Sequence, residues 1–232
     1  VEETSDGGFA LLGVADCDMY LVKTDVSGNK MWGQTFGGSG CAWGYSVHET
    51  SDGGLILAGH YDYDMFLVKT DASGNEMWSQ TFGQSERDIA YSVDETSDGG
   101  FILAGKSDNG LYLVKTDASG NEMWSQTFGA YVGARSVEQT SDGGFILSAG
   151  RMVLLKTDAS GNEMWSQAFE GRYSVGNEGS FDALEISGGG YIIAGYTLID
   201  ISGYVGYDMY VGRTDETGNQ IWSQTYGEES WL

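Results

Sequence analysis

The sequence has no proline, two cysteines and two histidines, and its 11 lysine and arginine residues stand against 34 aspartate and glutamate residues among 232 positions. Without proline, a collagen-like chain is excluded. The formal charge of −23 argues against nucleic acid and anionic membranes as partners, because their phosphates would be repelled. No apolar run approaches the roughly 18 residues of a membrane helix, so we expect no membrane insertion.

The scarcity of histidine and cysteine limits the chemistry that the chain can perform. His48 and His60 are the only histidines. The chain contains a repeat, described below, and the position of His48 is occupied by Asp94 and Glu138 in two other copies of it. A catalytic triad and a zinc site are therefore disfavoured. Calcium remains open, although Asp25–Asn29 does not match the twelve-residue helical calcium loop. We expect no metal and no other cofactor.

A repeat accounts for nearly the whole chain. The peptide Lys-Thr-Asp-Ala-Ser-Gly-Asn-Glu-Met-Trp-Ser-Gln occurs identically at 69–80, 115–126 and 156–167, with looser copies beginning at Lys23 and Arg213. A second marker, Asp-Gly-Gly, begins at positions 6, 52, 98 and 142, with Gly-Gly-Gly from 188 as its fifth copy. Five copies of about 46 residues predict a single domain over residues 1–232.

Each copy has the pattern of four short strands separated by turns. In the third copy the expected strands are Tyr91–Thr96, Phe101–Ala104, Leu111–Thr116 and Glu122–Phe128. Units of this kind are typical of β-propeller blades, since a blade has two apolar faces that only neighbouring blades can bury. The sequence therefore predicts an all-β, five-bladed β-propeller with four antiparallel strands per blade.

One tryptophan recurs per copy, and we expect each to pack against the next blade. These structural tryptophans are Trp32, Trp78, Trp124, Trp165 and Trp222. The sequence begins partway through a first strand and ends just after a fourth one, so we expect a ring closed between the N- and C-terminal blades.

The repeat resembles a known family. The segments Thr96–Gly105, Tyr112–Asp117 and Gly120–Gly129 are similar to the β-propeller repeats of secreted and cell-surface proteins of bacteria and archaea. This resemblance implies a propeller fold and an extracellular or cell-surface location, but the family has no common activity that could be carried over. Asp71, Gly74 and Trp78 also resemble, more weakly, the tryptophan-docking motif of quinone-dependent dehydrogenases. The adjacent cysteine pair of those enzymes has no match in this sequence.

The loops divide into repeated and variable sets. In a blade, the first-to-second and third-to-fourth turns lie on one rim, where this sequence repeats nearly the same turn residues and turn geometry explains the repetition. The second-to-third loops and the inter-blade connections lie on the opposite rim and differ from copy to copy. This variable rim is where we expect a ligand site.

Aromatic and acidic residues on the variable rim are the candidate ligand-binding residues. They are Trp43, His60, Tyr61, Asp62, Tyr63, Asp200, Tyr204 and Tyr207. Aromatic faces beside carboxylates suit sugar rings or cationic groups. The alternative is that these side chains only pack a crowded rim.

Two further sets have expected structural roles. Cys17 and Cys41 lie on the variable rim of the first blade, where a disulfide would fit an oxidising compartment; two buried free thiols are the alternative. One repeated strand position is always basic, and we expect its side chains to pair with carboxylates. Its occupants are Lys23, Lys69, Lys115, Lys156 and Arg213.

The leading hypothesis is a non-enzymatic extracellular module that binds a glycan or a surface protein in recognition or adhesion. A structural unit of a surface layer or filament is the second hypothesis. The third is a glycoside-active enzyme, which would need two carboxylates with separated pKa values. Because no unique carboxylate pair stands out, we expect no enzyme.

Overall fold

The computed structural model describes residues 1–83, 87–150, 152–169, 179–201 and 204–227. Within these ranges the regular structure consists of 20 strands, which form five four-stranded antiparallel sheets, one for each copy of the repeat. The prediction of an all-β fold with four antiparallel strands per copy is confirmed. No helix in the described part of the chain is long and apolar enough to cross a bilayer.

The chain forms two compact units, divided between the third and fourth copies of the repeat. Unit 1 is Val1–Gly129 and unit 2 is Ala130–Leu232. Unit 1 contains β1 (Glu2–Glu3), β2 (Phe9–Ala15), β3 (Asp18–Thr24), β4 (Lys30–Phe36), β5 (Ala42–Glu49), β6 (Leu55–Tyr61), β7 (Asp64–Thr70), β8 (Glu76–Phe82), β9 (Ile89–Glu95), β10 (Phe101–Ser107), β11 (Gly110–Thr116) and β12 (Glu122–Phe128). Its sheets have the orders β1-β2-β3-β4, β5-β6-β7-β8 and β9-β10-β11-β12.

Unit 2 contains two sheets of the same design. Its strands are β13 (Ala134–Gln139), β14 (Phe145–Ala149), β15 (Val153–Thr157), β16 (Glu163–Ala168), β17 (Gly179–Glu185), β18 (Tyr191–Ile201), β19 (Tyr204–Thr214) and β20 (Gln220–Tyr226). The sheets run β13-β14-β15-β16 and β17-β18-β19-β20, so every sheet is a meander in sequence order. The pair β18 and β19 is the longest hairpin because the fifth copy extends its second-to-third loop.

The repeated Asp-Gly-Gly turn is built around its aspartate. The Asp52 Oδ1 atom accepts hydrogen bonds from the Thr50 hydroxyl at 2.7 Å, the Gly54 amide at 2.9 Å and the Lys69 ammonium at 2.9 Å. Gly54 must be glycine, since an added Cβ would collide with the Thr70 carbonyl oxygen. One carboxylate thus fixes both the turn and the basic residue of the third strand.

The expected pairing of the repeated basic residue with a carboxylate is confirmed for four lysines. The pairs are Lys23–Asp6, Lys69–Asp52, Lys115–Asp98 and Lys156–Asp142, at 2.8 to 3.0 Å. The fifth copy has Gly188 in place of the aspartate, and the buried Arg213 Nε has no hydrogen-bond partner among the described residues. The aspartate that pairs with the other four basic residues is therefore not available to Arg213.

The second repeated turn is also satisfied internally. The Asp71 carboxylate accepts the amides of Ser73 and Asn75 at 2.8 and 2.9 Å, and its other oxygen accepts the Asn75 side-chain amide at 2.9 Å. The same bonds recur at Asp25, Asp117 and Asp158. Turn geometry therefore accounts for this repetition. Among the described residues, no three or more histidine, cysteine, aspartate or glutamate side chains form a group that could hold a metal ion.

Neighbouring sheets within a unit share their apolar cores. The buried residues of the second and third sheets form one cluster, in which Ile56 and Met65 lie with Leu103 and Val114, and Trp78 packs against it. Burial of this apolar surface is the dominant stabilising contribution to such stacking. The turn glycine of the next sheet accommodates the indole in three cases: Trp32 lies against Gly74, Trp78 against Gly120 and Trp165 against Gly218.

A polar clasp supplements the apolar packing between sheets. The Ser5 amide and hydroxyl donate to the Glu49 carboxylate, at 2.6 and 3.0 Å. Ser51 makes the same two bonds to Glu95, as does Ser141 to Glu185 in unit 2. Each clasp spans 44 residues and joins a turn of one sheet to the first strand of the next.

Candidate recognition surface

A β-bulge in β5 creates the first part of the candidate site. Gly44 pairs with Gly59 and Ser46 with Ala58, so Tyr45 is an extra residue without a partner on β6. Bulges re-aim side chains, and this one places the ring of Tyr45 near the ring of its neighbour on β6. His60 stacks with Tyr45 at 5.8 Å between ring centroids and with Trp43, its cross-strand partner, at 6.2 Å.

The next sheet extends the same surface. β9 has an equivalent bulge at Tyr91, between the pairs Ser92–Ala104 and Ala90–Gly105. The Tyr91 ring meets Tyr45 edge to face, with centroids 5.3 Å apart. We call Trp43, Tyr45, His60 and Tyr91 the aromatic surface. Trp43 is 42% exposed and Tyr45 43%, whereas His60, which stacks with both, is 6% exposed.

His60 is kept in its neutral form. Burial lowers its pKa, and the positive charge of Arg87 lowers that pKa further. Its Nδ1 atom is buried and has no hydrogen-bond partner among the described residues. An unpaired buried nitrogen costs about 1 to 3 kcal/mol, so packing alone does not favour histidine at this position.

Arg87 lies at the entrance to β9. The amide of the following residue, Asp88, donates to the Tyr63 carbonyl at 2.6 Å, which fixes this part of the connection to the β6–β7 hairpin. The Arg87 charge affects both His60 and Tyr45. Burial is the main cause of the raised pKa of Tyr45, followed by the neighbouring Tyr91.

Two predicted ligand-binding residues have local packing roles. The Tyr61 hydroxyl accepts the Gly40 amide at 3.1 Å, and its ring lies against Phe66. Asp62 accepts the Cys41 amide at 3.1 Å through its carboxylate and donates its own amide to the Cys41 carbonyl at 2.8 Å. Both residues hold the loop that leads into β5.

The loop before β5 is also tied covalently. Cys17 and Cys41 form a disulfide with Cα atoms 4.7 Å apart, and the Ala42 amide donates to the Cys17 carbonyl at 2.8 Å. The disulfide connects the β2–β3 hairpin with the residue immediately before β5. It fixes the segment that carries Trp43, and no described cysteine is free.

The remaining predicted site residues are distributed between the two units. Tyr63 in unit 1 is 68% exposed at the tip of the β6–β7 hairpin. Asp200 and Tyr204 lie in β18 and β19 of unit 2, but their side chains are outside the described residues. The exposed ring of Tyr207 meets Tyr196 edge to face, with centroids 5.3 Å apart.

In unit 2, too, an aromatic residue in the bulge of a first strand contacts an aromatic residue on the second strand. Phe181 occupies the bulge of β17, and its ring lies 5.3 Å from that of Tyr196. These two residues have the repeat positions of Tyr45 and His60. The recurrence identifies the bulge as a position that varies in chemistry while its backbone geometry is retained.

Sequence reasoning did not select Tyr45, Tyr91 or Arg87. A usable signal was present at one position of the first strand, which carries a large side chain in each of four copies. The variable residue is Tyr45, Tyr91 and Arg135 in successive copies, and Phe181 has the same position in the fifth.

Comparison with known proteins identifies the fold. No protein-family profile matches the chain, and no curated protein matches its sequence. Among solved structures, the Dos1 propeller is 15% identical with a TM-score of 0.67, over 98% of this chain and 58% of that one. The WD40 propeller domain of Doa1 is 14% identical with a TM-score of 0.64, over 99% of this chain and 68% of that one. The fold is that of a β-propeller.

The propeller likeness extends to an enzyme. A quinohemoprotein alcohol dehydrogenase from Pseudomonas putida HK5 is 11% identical with a TM-score of 0.63, and the match covers 95% of this chain and 52% of that one. Identities this low show the fold alone. Because propellers serve unrelated functions, the likeness does not decide whether this chain is an enzyme. The secreted repeat family suggested by the sequence stays a prediction.

Proposed function

We propose that this protein is a non-enzymatic recognition module, extracellular or on a cell surface, which binds a glycan through the aromatic surface. The observation that carries the proposal is that the exposed rings of Trp43 and Tyr45 both stack with His60. A pyranose ring presents an apolar C–H face that packs on such rings and hydroxyl edges that hydrogen-bond beside them.

The rigidity of the surface supports binding. The Cys17–Cys41 disulfide, Tyr61 and Asp62 all hold the segment that enters β5. Trp43 is therefore positioned before a ligand arrives, which reduces the conformational entropy lost on binding. Arg87 weighs against a cationic ligand, the other class that aromatic rings could hold.

The aspartates of the β6–β7 hairpin and of the entrance to β9 do not favour glycoside hydrolysis. The pKa of Asp64 is raised by burial and then by Asp88 and Asp62. Asp88, however, has no exposed surface, and the Asp62 carboxylate accepts the Cys41 amide. A glycosidase needs its two carboxylates in contact with the substrate. These aspartates do not offer such a pair.

We further propose that the five sheets close into one ring, as the repeat predicts. Glu3 has the repeat position of Glu49, and Ser187 has that of Ser5, so the sequence supplies the residues of one more clasp. Substitutions Glu3→Gln and Ser187→Ala test this in a double-mutant cycle. A coupling of about 1 kcal/mol in the free energy of unfolding is expected, and additive effects contradict closure.

The binding proposal is tested by a glycan-array screen followed by calorimetry. Trp43→Ala and Tyr45→Ala are expected to weaken binding of any hit by about tenfold or more, because each removes a stacking face. Tyr226→Ala is the matched control, since Tyr226 is 53% exposed on the fourth strand of the last sheet. Absence of binding across a diverse array contradicts the proposal and favours the alternative, an assembly unit of a surface layer or filament.

A further inference from the structure

The cations of unit 1 fall into two groups with different roles. Three of its six basic residues, Lys23, Lys69 and Lys115, are tied to the aspartates of their own turns. Lys30 donates to the Tyr20 hydroxyl at 2.7 Å. The remaining two are Arg87 and Lys106, and neither forms an ion pair with another described residue of this unit.

Lys106 lies beside the aromatic surface, and Arg87 lies two residues before the start of β9, the strand that carries Tyr91. Lys106 on β10 is the cross-strand partner of Ile89 on β9. Ile89 follows Arg87 by two residues. Lys106 also has the repeat position of His60, next to the bulge that carries Tyr91. Arg87 is exposed to solvent.

We propose that the aromatic surface takes an acidic sugar, a uronic acid residue of a polysaccharide, with its carboxylate held by Arg87. The pyranose face lies over Trp43 and Tyr45, and Lys106 extends the positive edge of the surface. This inference rests on the proposed function and names its ligand class. Arginine is suited to this role because its planar guanidinium can bind a carboxylate through two parallel hydrogen bonds.

Neutral His60 is compatible with this arrangement. Burial and the Arg87 charge both lower its pKa, so near pH 7 the ring adds no charge and acts as an apolar support for the stack. The positive charge that a ligand meets is then supplied by Arg87 and Lys106. Removing that charge should change selectivity for acidic ligands while leaving the stacking rings in place.

The acidic character of the protein does not exclude such a ligand. The net charge is −23, but at an ionic strength of about 0.15 M exposed charges farther apart than roughly 8 Å are largely screened. Asp88, which follows Arg87 in the sequence, is fully buried and does not meet a ligand directly. Arg87 is exposed at the entrance to β9, and its positive charge acts on both His60 and Tyr45.

Trimers of galacturonate, glucuronate and mannuronate provide the test when each is compared with its methyl ester. Esterification removes the charge and keeps the sugar ring, so the ratio of the two dissociation constants isolates the carboxylate. Calorimetry in about 0.15 M salt is expected to show at least one acid binding about tenfold or more tightly than its ester. Arg87→Gln should reduce that ratio to near one.

Lys30→Gln is the matched control, since it removes a cation of the same unit that is bonded to Tyr20. It should leave the ratio unchanged, and Lys106→Gln should lower it less than Arg87→Gln does. Equal affinities for acid and ester, both abolished by Trp43→Ala, overturn the inference and leave the proposed function intact. Failure of all three acids to bind also overturns it, and the neutral-glycan screen then decides the proposed function.

Discussion

Trp32 lies so close to Gly74 that a Cβ atom added there would stand 2.5 Å from Cζ3 of the indole. The contact joins the fourth strand of one sheet to a turn of the next, and Trp78 and Gly120 repeat it. The indole therefore fits only because this turn residue has no side chain. The repeated tryptophan and the repeated turn glycine are two halves of one contact.

Gly74→Ala should destabilise unit 1 more than Gly53→Ala. Both glycines have a positive φ, near +80°, but a Cβ at Gly53 meets nothing within 4 Å. Each substitution costs about 1 kcal/mol for the left-handed backbone, and Gly74→Ala adds about 1 to 3 kcal/mol from overpacking against Trp32. Urea unfolding measures the difference, and equal losses would contradict the packing account.

Asp52→Asn should reduce stability at neutral pH and much less in acid. The Thr50 hydroxyl is the largest cause of the shift that lowers the pKa of Asp52 to about 2, and the Gly54 amide and Lys69 add to it while burial opposes it. Because the folded-state pKa lies below the ordinary value of 3.8, the stabilisation is present above pH 3.8 and disappears as the pH falls towards 2.

The size of this effect is modest because Asp52 is largely exposed. A loss of about 1 to 2 kcal/mol at pH 7 is expected. Unfolding curves of the wild type and the variant should converge between pH 4 and pH 2. A difference that stays constant across this interval contradicts the role of the ionised carboxylate.

Reduction of the Cys17–Cys41 disulfide should lower both stability and affinity for a ligand. The bond closes a loop with a sequence separation of 24, for which loop-closure entropy predicts about 3 kcal/mol. Ligand affinity should fall because the loop leads directly to Trp43. The double variant Cys17→Ala/Cys41→Ala is the control, and reductant should not change its unfolding midpoint or its affinity.

The repeat made the sheets predictable, whereas the binding surface was only partly so. Four strands per copy follow from alternation and from turns whose hydrogen bonds are local, as at Asp52 and Asp71. A bulge adds one residue to a strand and shifts the alternation beyond it, so simple period-two reading did not select Tyr45. Tyr61 was predicted to bind a ligand because it is an aromatic residue on the variable rim. In the structure its hydroxyl accepts the Gly40 amide and holds the loop before β5.

His60 should titrate below the ordinary histidine value. Burial is the first cause of its lowered pKa and the Arg87 charge is the second. Its contribution to stability is therefore present above about pH 6.5 and is lost as the pH falls through the folded-state pKa. With two histidines in the chain, His60→Gln assigns the two ring signals in a proton NMR titration. A midpoint at or above 6.5 for His60 contradicts the buried, neutral ring.

The same NMR signals offer the most direct test of the aromatic surface. His60 stacks with Trp43 and Tyr45, whereas His48 is on the same strand pair but next to Glu2 and Asp94. A glycan stacked on the exposed rings should shift the His60 ring signal progressively to saturation and leave that of His48 unchanged. Saturable binding of a glycan with no change at His60 would show that the ligand binds elsewhere and contradict the assignment.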